Sequence, residues 1–398
     1  MHTGLTSGSY LREIDIAVDA LAEALAAADP GAFYRTFRAT RLPFLCGEYR
    51  DDAARLFPAC AAIVYRLAGI SPAVALAVEN HLYVTSAIAT FPTDGDPALQ
   101  AGRDALLARI VERRYLVANT NSRAHGPAGQ VAATARRSGT AFTIDGSTPY
   151  TSLATEGDIL VLLTELDGEG LAVFAIEPMQ GNPGIEIGEY VFPRAMIDSD
   201  TRTLTFRGLR LDADALLAVG SSAHARLLFP FEMAWHQLLI AALYLGAAAA
   251  AIDEVGAFLR STPGRDGRPL ADMDGMLVDV GRLALEQQSA LLTLERAGDS
   301  LGAVRQLPRD AAAVERAVSL ASAAKYSCTR IAETVVTGAR RIIGARSFAA
   351  GSIMERLSLE AMFGPLGPEG NAVIERRYGK QALSASERML PYGLRHDG

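Results

Sequence analysis

The chain has 398 residues, of which 49% are hydrophobic and 21% charged, and its formal net charge is −7. This composition is typical of a globular protein that buries a large core and forms about two or three domains. The negative charge offers no basic surface for nucleic acid. The cysteines, Cys46, Cys60 and Cys328, are far apart and lack CxxC or zinc-ligand spacing, so neither disulfides nor a metal site is expected. With no leader-like N-terminal pattern, the sequence favours a reducing cytoplasm.

The first part of the chain is predicted to be helical. Apolar residues recur at near-helical spacing over residues 10–30, and Pro30 is expected to end that helix. Further helices are predicted over residues 56–67, 71–90 and 97–114. In Ser71-Pro72, the serine is a helix N-cap and the proline occupies the first helical position. We therefore expect a helical N-terminal domain over residues 1–114.

The pattern changes at Tyr115 to short, β-branched segments bounded by Gly, Asp or Pro. Strands are predicted over residues 142–144, 158–163, 171–176 and 202–206. The turn Asp167-Gly168-Glu169-Gly170 is expected to join two of them as a hairpin. These features predict a small β domain over residues 115–220 between two helical regions.

A second helical region is predicted over residues 221–398. Its helices are expected over residues 231–260, 272–302 and 308–346, followed by a shorter one. The most apolar stretch, Leu238 to Ile252, is shorter than the ~20 residues that a membrane span needs. We interpret it as the buried middle of a core helix and expect no membrane association.

Residue patterns alone leave the chemistry open. No P-loop, GxGxxG, HExxH or GxSxG motif is present. His236 lies on an apolar helix, where a hydrogen-bonded core histidine and a pocket residue are both plausible. Arg260, at a helix end, is explained by the helix dipole alone. The segment Gly338 to Gly344 is either a phosphate-binding turn or a surface turn.

Several segments, in this order, resemble the acyl-CoA dehydrogenase flavoprotein family. They are Phe142 to Ser152, Leu204 to Leu211 and Leu216 to Gly220. The resemblance covers nearly the whole chain, with degenerate motifs. It implies an α+β fold with a helical N-terminal domain, a small central β domain and a C-terminal four-helix bundle, and it implies FAD as the cofactor.

The resemblance also assigns flavin contacts in the β domain. Tyr150 takes the place of the aromatic residue beside the isoalloxazine, and Ser152 that of a threonine that hydrogen-bonds the flavin near N5. Thr120 matches another flavin-contacting threonine. An aromatic wall suits an apolar ring system, and hydroxyls tune its electron affinity. An ordinary strand with surface hydroxyls is the alternative for this segment.

In the C-terminal region, Arg260 and Thr262 match a segment that reaches the FAD pyrophosphate of a neighbouring subunit, where the arginine fork suits a diphosphate. Gly338 lies in the segment that replaces the family's glycine-rich turn and is assigned to the cofactor. His236 and Gln237 fall near the position that faces the acyl chain. These assignments imply at least a homodimer, and the family pattern includes the homotetramer.

The chain departs from the family pattern in several places. The family's Ser-Asp pair is missing from the loop that follows Thr120, and Thr148 replaces a lysine. Leu359-Glu360 replaces an Arg-Asp pair. These departures favour a specialised-metabolism enzyme over one of β-oxidation.

The catalytic assignment depends on the alignment around Glu369. Matching Glu369-Gly370 to the family's Glu-Gly motif makes Glu369 the base that removes the α-proton of a thioester. Counting without gaps from Glu355-Arg356 places Pro368 there instead, and a surface carboxylate is then the simpler interpretation. A working base needs a desolvated pocket and a raised pKa.

The favoured function is FAD-dependent α,β-dehydrogenation of an acyl thioester bound to CoA or to an acyl carrier protein. An electron-transfer partner is then expected. The first alternative is a reduced-flavin-dependent monooxygenase or N-hydroxylase of the same fold, supplied by a flavin reductase. The second alternative is a flavin-free relative that acts as a partner protein. Fold resemblance alone does not decide among them.

Overall fold

A computed structural model describes residues 10–120, 133–220, 222–307 and 309–384. The first helices are α1 (Leu11–Ala26), α2 (Pro30–Ala39), α3 (Leu45–Glu48), α4 (Ala53–Ala68), α5 (Pro72–Thr90) and α6 (Pro97–Arg113). Strands follow as β1 (Val117–Thr120), β2 (Ala133–Ser138), β3 (Ala141–Thr151), β4 (Ile159–Leu166), β5 (Gly170–Ile176), β6 (Ile185–Tyr190), β7 (Arg202–Leu211) and β8 (Leu216–Val219). The last helices are α7 (Ala225–Ser261), α8 (Asp274–Gly298), α9 (Ala311–Ile343), α10 (Ile353–Glu360) and α11 (Asn371–Ser384). The predicted α+β class is confirmed.

The prediction for Pro30 was wrong. Helix α1 ends at Ala26, and Pro30 is the first residue of α2 rather than the end of one long helix. The Asp29 side chain caps α2 by accepting the backbone N–H of Ala32 at 3.3 Å. Because the first helical N–H has no intrahelical partner, proline costs nothing at that position.

Helix α5 is buried on all sides. Nearly all its residues are apolar or small, which is typical of a helix enclosed by others. His81 joins it to two other segments, since its Nε2 lies 2.7 Å from the oxygen of Pro43 and its Nδ1 accepts the N–H of Val117 at 2.9 Å. Burial lowers the pKa of His81 to about 4, so it is a neutral, fully hydrogen-bonded core residue.

The strands form one sheet in the order β6-β7-β3-β2-β4-β5-β8, and β1 pairs in parallel with β4. Most other neighbours are antiparallel, as expected for strands joined by short turns. The hairpin predicted at residues 167–170 is confirmed between β4 and β5. A register shift between Ile144 and Gly146 bends β3 just before the segment that carries Tyr150.

Helix α7 is the centre of the C-terminal region and packs against α4, α5, α8 and α9. By length and composition it could cross a membrane, but 72% of its most apolar window is buried within the protein. The stretch from Leu238 to Ala248 is almost fully buried, which confirms the predicted core helix. Gly246 permits the contact with α4, because a Cβ there would lie 2.0 Å from the backbone oxygen of Tyr65.

Candidate functional site

His236 lies where α5, α7 and the segment before α11 meet. Its Nδ1 is 2.9 Å from Oε1 of Glu79 on α5, and its Nε2 is 3.0 Å from the backbone oxygen of Pro368. The ring of Tyr83 packs against the imidazole at 4.7 Å between centroids. A carbonyl oxygen only accepts hydrogen bonds, so the Nε2 of His236 is the donor to Pro368.

The contact between Glu79 and His236 contains one shared proton. Two lone pairs cannot face each other at 2.9 Å, so either the carboxyl or Nδ1 carries hydrogen. Complete burial raises the pKa of Glu79, and the adjacent His236 partly offsets this shift. The second oxygen of Glu79, Oε2, is buried and has no hydrogen-bond partner among the described residues. Glu79 is therefore a buried carboxyl with a raised pKa that contacts the imidazole directly.

Lys325 on α9 holds the same segment from the other side. Its buried ammonium donates to the backbone oxygens of Gly367 at 3.2 Å and Glu369 at 2.8 Å, and to Oδ1 of Asn371 at 2.9 Å. Burial lowers the pKa of Lys325 to about 8, against a smaller upward effect of Glu369. Three consecutive backbone oxygens, those of residues 367–369, thus accept from two buried side chains.

Sequence reasoning missed both Glu79 and Lys325, although each left a signal. Glu79 is the one charged residue within the apolar α5. Lys325 falls at helical spacing among the buried residues of α9, where Ala321 and Cys328 are its neighbours on the same face. A lone charge on a buried helix face indicates a satisfied polar site.

The Glu369 carboxylate is directed toward α11. Its Oε2 lies 2.8 Å from Nη1 of Arg377, close enough for an ion pair but without the alignment of a hydrogen bond. It is 23% exposed and borders a groove of about 380 Å³ lined also by Val373, Arg376, Lys380 and Gln381. The structure brings the backbone of Glu369 beside His236 and Lys325 and pairs its carboxylate with a cation. Its role as the base remains a prediction.

Gln237, the other residue predicted to contact substrate, is buried and faces α9. Its Oε1 accepts a hydrogen bond of 2.7 Å from the hydroxyl of Ser322. In this arrangement Gln237 joins two packed helices. Its predicted contact with an acyl chain is not tested by the geometry.

Three aromatic rings connect the sheet to the helical region. The Tyr150 ring stacks on Phe192 at 5.9 Å and 15°, and Phe192 meets Phe363 edge-on at 5.0 Å. Sequence reasoning predicted Tyr150 but neither of the other two rings. Such a lining suits a flat, apolar ring system such as isoalloxazine. Since Phe192 covers one face of Tyr150, direct stacking of a flavin there requires Phe192 to move.

The hydroxyl of Ser152, which was predicted to face the flavin, is in a buried network. Ser152 Oγ lies 2.9 Å from Thr201 Oγ1, which lies 2.7 Å from Ser199 Oγ. A hydroxyl has one donor and two acceptor positions, so Ser152 keeps hydrogen-bonding capacity for a ligand. Thr120 is buried at the end of β1. The loop that follows it lies outside the described residues.

The cofactor-binding residues predicted in the C-terminal region lie in two places. Arg260 is exposed in the last turn of α7, and Thr262 is the C-cap of that helix. Gly338 lines a groove of about 480 Å³ between α8 and α9, together with Arg282 and Arg341. A Cβ at position 338 would lie 2.6 Å from Leu283, so helix packing alone explains this glycine. Arg260 and Thr262 are not among the residues that line this groove.

No cluster of metal-binding side chains occurs within the described parts of the chain. Around His236, Glu79 contacts the imidazole and Lys325 bonds to backbone oxygens and to Asn371.

Residues 232–382 match the family model of the acyl-CoA dehydrogenase C-terminal domain. No curated protein is significantly similar to the chain in sequence. Among solved structures, KijD3 in complex with FMN and dTDP-3-amino-2,3,6-trideoxy-4-keto-3-methyl-D-glucose is similar with a TM-score of 0.80 and 20% identity, covering 98% of each chain.

Two enzymes of different reaction types share the fold at lower identity. Dibenzothiophene monooxygenase from Paenibacillus sp. A11-2 has a TM-score of 0.76 and 18% identity over 94% of this chain and 97% of its own. Butyryl-CoA dehydrogenase from Megasphaera elsdenii has a TM-score of 0.76 and 17% identity over 96% of this chain and 100% of its own. Residues 232–382 thus match the C-terminal domain of the acyl-CoA dehydrogenase family, and the chain as a whole shares the fold of these solved structures.

Proposed function

We propose that the protein is a flavin-dependent oxidoreductase that α,β-dehydrogenates an acyl thioester. The observation that carries this proposal is the fixed position of the segment 367–369, which two buried donors hold at the junction of α7, α9 and α11. A glutamate that ends such a segment has the preorganised backbone that proton abstraction requires. FAD, when bound, would accept the β-hydrogen as hydride.

In this proposal, Glu369 accepts the α-proton of the thioester after its carboxylate leaves Arg377. Tyr150 lies beside the flavin ring after Phe192 has moved away from it, and Ser152 and Thr120 supply hydroxyls. His236 and Gln237 lie on the acyl side. The proton that leaves the α-carbon stays on the carboxyl of Glu369 until product departs.

The test is the substitution Glu369→Gln, which keeps shape and removes the base. We expect desaturation of acyl thioesters to fall by at least about 10²-fold, the scale of losing a general base. Glu375→Gln is the matched control, because Glu375 is an exposed carboxylate on the adjoining helix α11 and accepts a hydrogen bond from Tyr326. Full activity of Glu369→Gln would remove Glu369 from this role.

The second candidate is a reduced-flavin-dependent monooxygenase or N-hydroxylase. The ion pair between Glu369 and Arg377 favours it, because a carboxylate held by a cation is not free to abstract a proton. Purified protein with a flavin reductase, NADH and O2 would then oxygenate a substrate, and Glu369→Gln would retain that activity. A thioester that bleaches the bound flavin without O2 would favour dehydrogenation instead.

A flavin-free partner protein is the third candidate, supported by the missing Ser-Asp pair and glycine-rich turn. An absorbance spectrum of purified protein before and after addition of FAD or FMN separates it from the others. A colourless protein that takes up neither flavin would support it.

We propose that the acyl group is carried by CoA or by an acyl carrier protein and that the protein works in the cytoplasm. An electron-transfer partner is proposed for dehydrogenation, and a flavin reductase for oxygenation. Parallel assays with acyl-CoA and acyl-carrier-protein forms of one acid would identify the carrier.

We also propose a homodimer or homotetramer. Large apolar side chains on α8 are more than half exposed, namely Leu277, Val278, Leu285 and Leu292. Val278, Leu285 and Leu292 recur every seven residues and so lie on one side of α8, and an exposed apolar stripe of this kind is typical of a helix that packs against a partner. Leu285→Glu is expected to dissociate the oligomer in light-scattering measurements, whereas Leu383→Glu, at an exposed leucine on α11, is not. An unchanged mass for Leu285→Glu would exclude this face.

A further inference from the structure

The two hydrogen bonds of His236 together require more protons than a neutral histidine carries. Nε2 must carry hydrogen to bond the oxygen of Pro368, and the contact between Nδ1 and Glu79 contains another hydrogen. If the pair loses the shared proton, a lone pair of the ring faces either a carbonyl oxygen or a carboxylate. Loss of that proton therefore breaks one of the two contacts.

Which contact breaks is decided by charge. A carboxylate carries a full negative charge, whereas the Pro368 carbonyl carries only a partial one. After deprotonation the remaining ring hydrogen therefore moves to Nδ1 and bonds to Glu79. Nε2 then presents a lone pair to Pro368 O at 3.0 Å, which repels the segment that carries Glu369.

We propose that Glu79 and His236 form a proton-dependent latch that positions the segment 367–371, and with it Glu369. Both are positioning residues, because they act on Glu369 through the backbone of Pro368. This inference rests on the proposed function only for its effect on catalysis. The latch itself is a property of the fold.

The charged and titratable groups around the imidazole support this assignment. From α5 it faces Glu79 and Tyr83, and Glu232 lies one turn earlier on α7. Complete burial raises the pKa of Glu79, so the pair keeps its proton to higher pH than an exposed carboxyl does. On the far side of the segment, Lys325 holds the two flanking oxygens. The segment is thus held from both sides, and only the His236 contact depends on the shared proton.

The test uses hydrogen–deuterium exchange of the segment in the full-length protein. The amides of Gly367 and Asn371, at the two ends of the segment, bond to Phe363 O and Pro365 O just before it and report its opening. His236→Asn places an amide near Nδ1, keeping the contact with Glu79 and losing that with Pro368. We expect exchange of these amides to become about tenfold faster, the scale of one buried hydrogen bond.

His236→Gln is the matched rescue variant, because its amide reaches the position of Nε2 and donates to Pro368 without titrating. We expect its exchange to remain within about twofold of wild type, well below the effect of one hydrogen bond. Glu79→Gln donates an amide hydrogen to Nδ1 of a neutral histidine and keeps both contacts. In wild type, exchange corrected for intrinsic rate should accelerate as pH rises and the shared proton is lost. The measurement is made below the pKa of Lys325, which is about 8, so that its contacts with the segment stay unchanged, and in Glu79→Gln the acceleration in this pH range should vanish.

Unchanged exchange in His236→Asn, or equal acceleration in the Asn and Gln variants, would overturn the proposal. If His236→Asn does not fold, the pH dependence of Glu79→Gln decides alone, and a persistent acceleration would refute the latch. Kinetics give a second readout. If His236 acts as a latch, His236→Asn should lower kcat, whereas the loss of a direct substrate contact would raise KM. The exchange results stand even if Glu369→Gln shows that Glu369 is not the base, so the two proposals fail separately.

Discussion

Glu369 Oε2 and Arg377 Nη1 lie 2.8 Å apart, which places the candidate base against α11 rather than in the protein interior. Both side chains are partly exposed, and such ion pairs stabilise by about 0–1 kcal/mol. A small rearrangement would therefore free the carboxylate.

We expect Arg377→Gln to raise kcat for desaturation by up to about fivefold, because the base no longer has to leave a cation. Steady-state kinetics with an acyl thioester would measure this change, and Arg376→Gln, at the adjacent exposed arginine, is the control. A fall of kcat to the level of Glu369→Gln would instead mean that Arg377 takes part in catalysis.

Lys325→Met is expected to destabilise the fold at pH 7 by about 2–4 kcal/mol, because it leaves two partly buried backbone oxygens and the buried Oδ1 of Asn371 without this donor. The pKa of Lys325 is about 8 in the folded protein, below its ordinary value of 10.5, so the unfolded chain binds more protons between these values. The free energy of unfolding of the wild type should therefore rise with pH across this window, by about 3 kcal/mol at most. Urea denaturation at pH 7.5, 9 and 10.5 measures the rise. The same rise in Lys325→Met would contradict the assignment.

Glu360 should give a pH dependence of opposite sign at lower pH. Its Oε2 accepts the N–H of Ala73 at 3.1 Å, and burial raises the pKa of Glu360 from 4.5 to about 7. Between these values the folded protein binds a proton that the unfolded chain has lost. The free energy of unfolding should therefore fall as pH rises from 4.5 to 7, by about 3 kcal/mol at most. Glu360→Gln keeps the acceptor and should show a smaller fall in urea denaturation, because only groups such as Glu79, whose pKa burial also raises, then contribute to it. An equal fall in both proteins would assign it to other groups.

Gly246→Ala should destabilise the protein by about 3 kcal/mol or more, because its Cβ would collide with the backbone of Tyr65 where α4 crosses α7. Gly281→Ala on α8 is the control, since no described atom lies within 4 Å of its Cβ position. Alanine there should stabilise the helix by about 1 kcal/mol. Thermal or urea unfolding measures both, and similar effects of the two substitutions would contradict the close approach of the helices.

Local sequence patterns predicted much of the fold, because helices and strands are determined largely by residues that are close together in the chain. The apolar run from Leu238 indicated a buried helix, and the β-branched segments after Tyr115 indicated the sheet. The prediction failed at Pro30 because proline both ends helices and begins them, and only the preceding Asp29 cap distinguishes the two.

The candidate site was less predictable, because its contacts join distant parts of the chain. Glu79 and His236 are 157 positions apart, and no local pattern pairs them. Family resemblance located Glu369 but could not give the direction of its side chain. That direction depends on Arg377, which lies two helical turns further along the chain.

Glu79 and His81 are two positions apart, so they project from roughly opposite sides of α5. One side bonds to α7 through His236, and the other bonds to the first strand of the sheet through the N–H of Val117. Helix α5 therefore sets the distance between the strand that carries Thr120 and the segment that carries Glu369. A substitution that shifted α5 along its axis would displace the strand and the segment together. Redesign of either half of the site must therefore preserve the position of this helix.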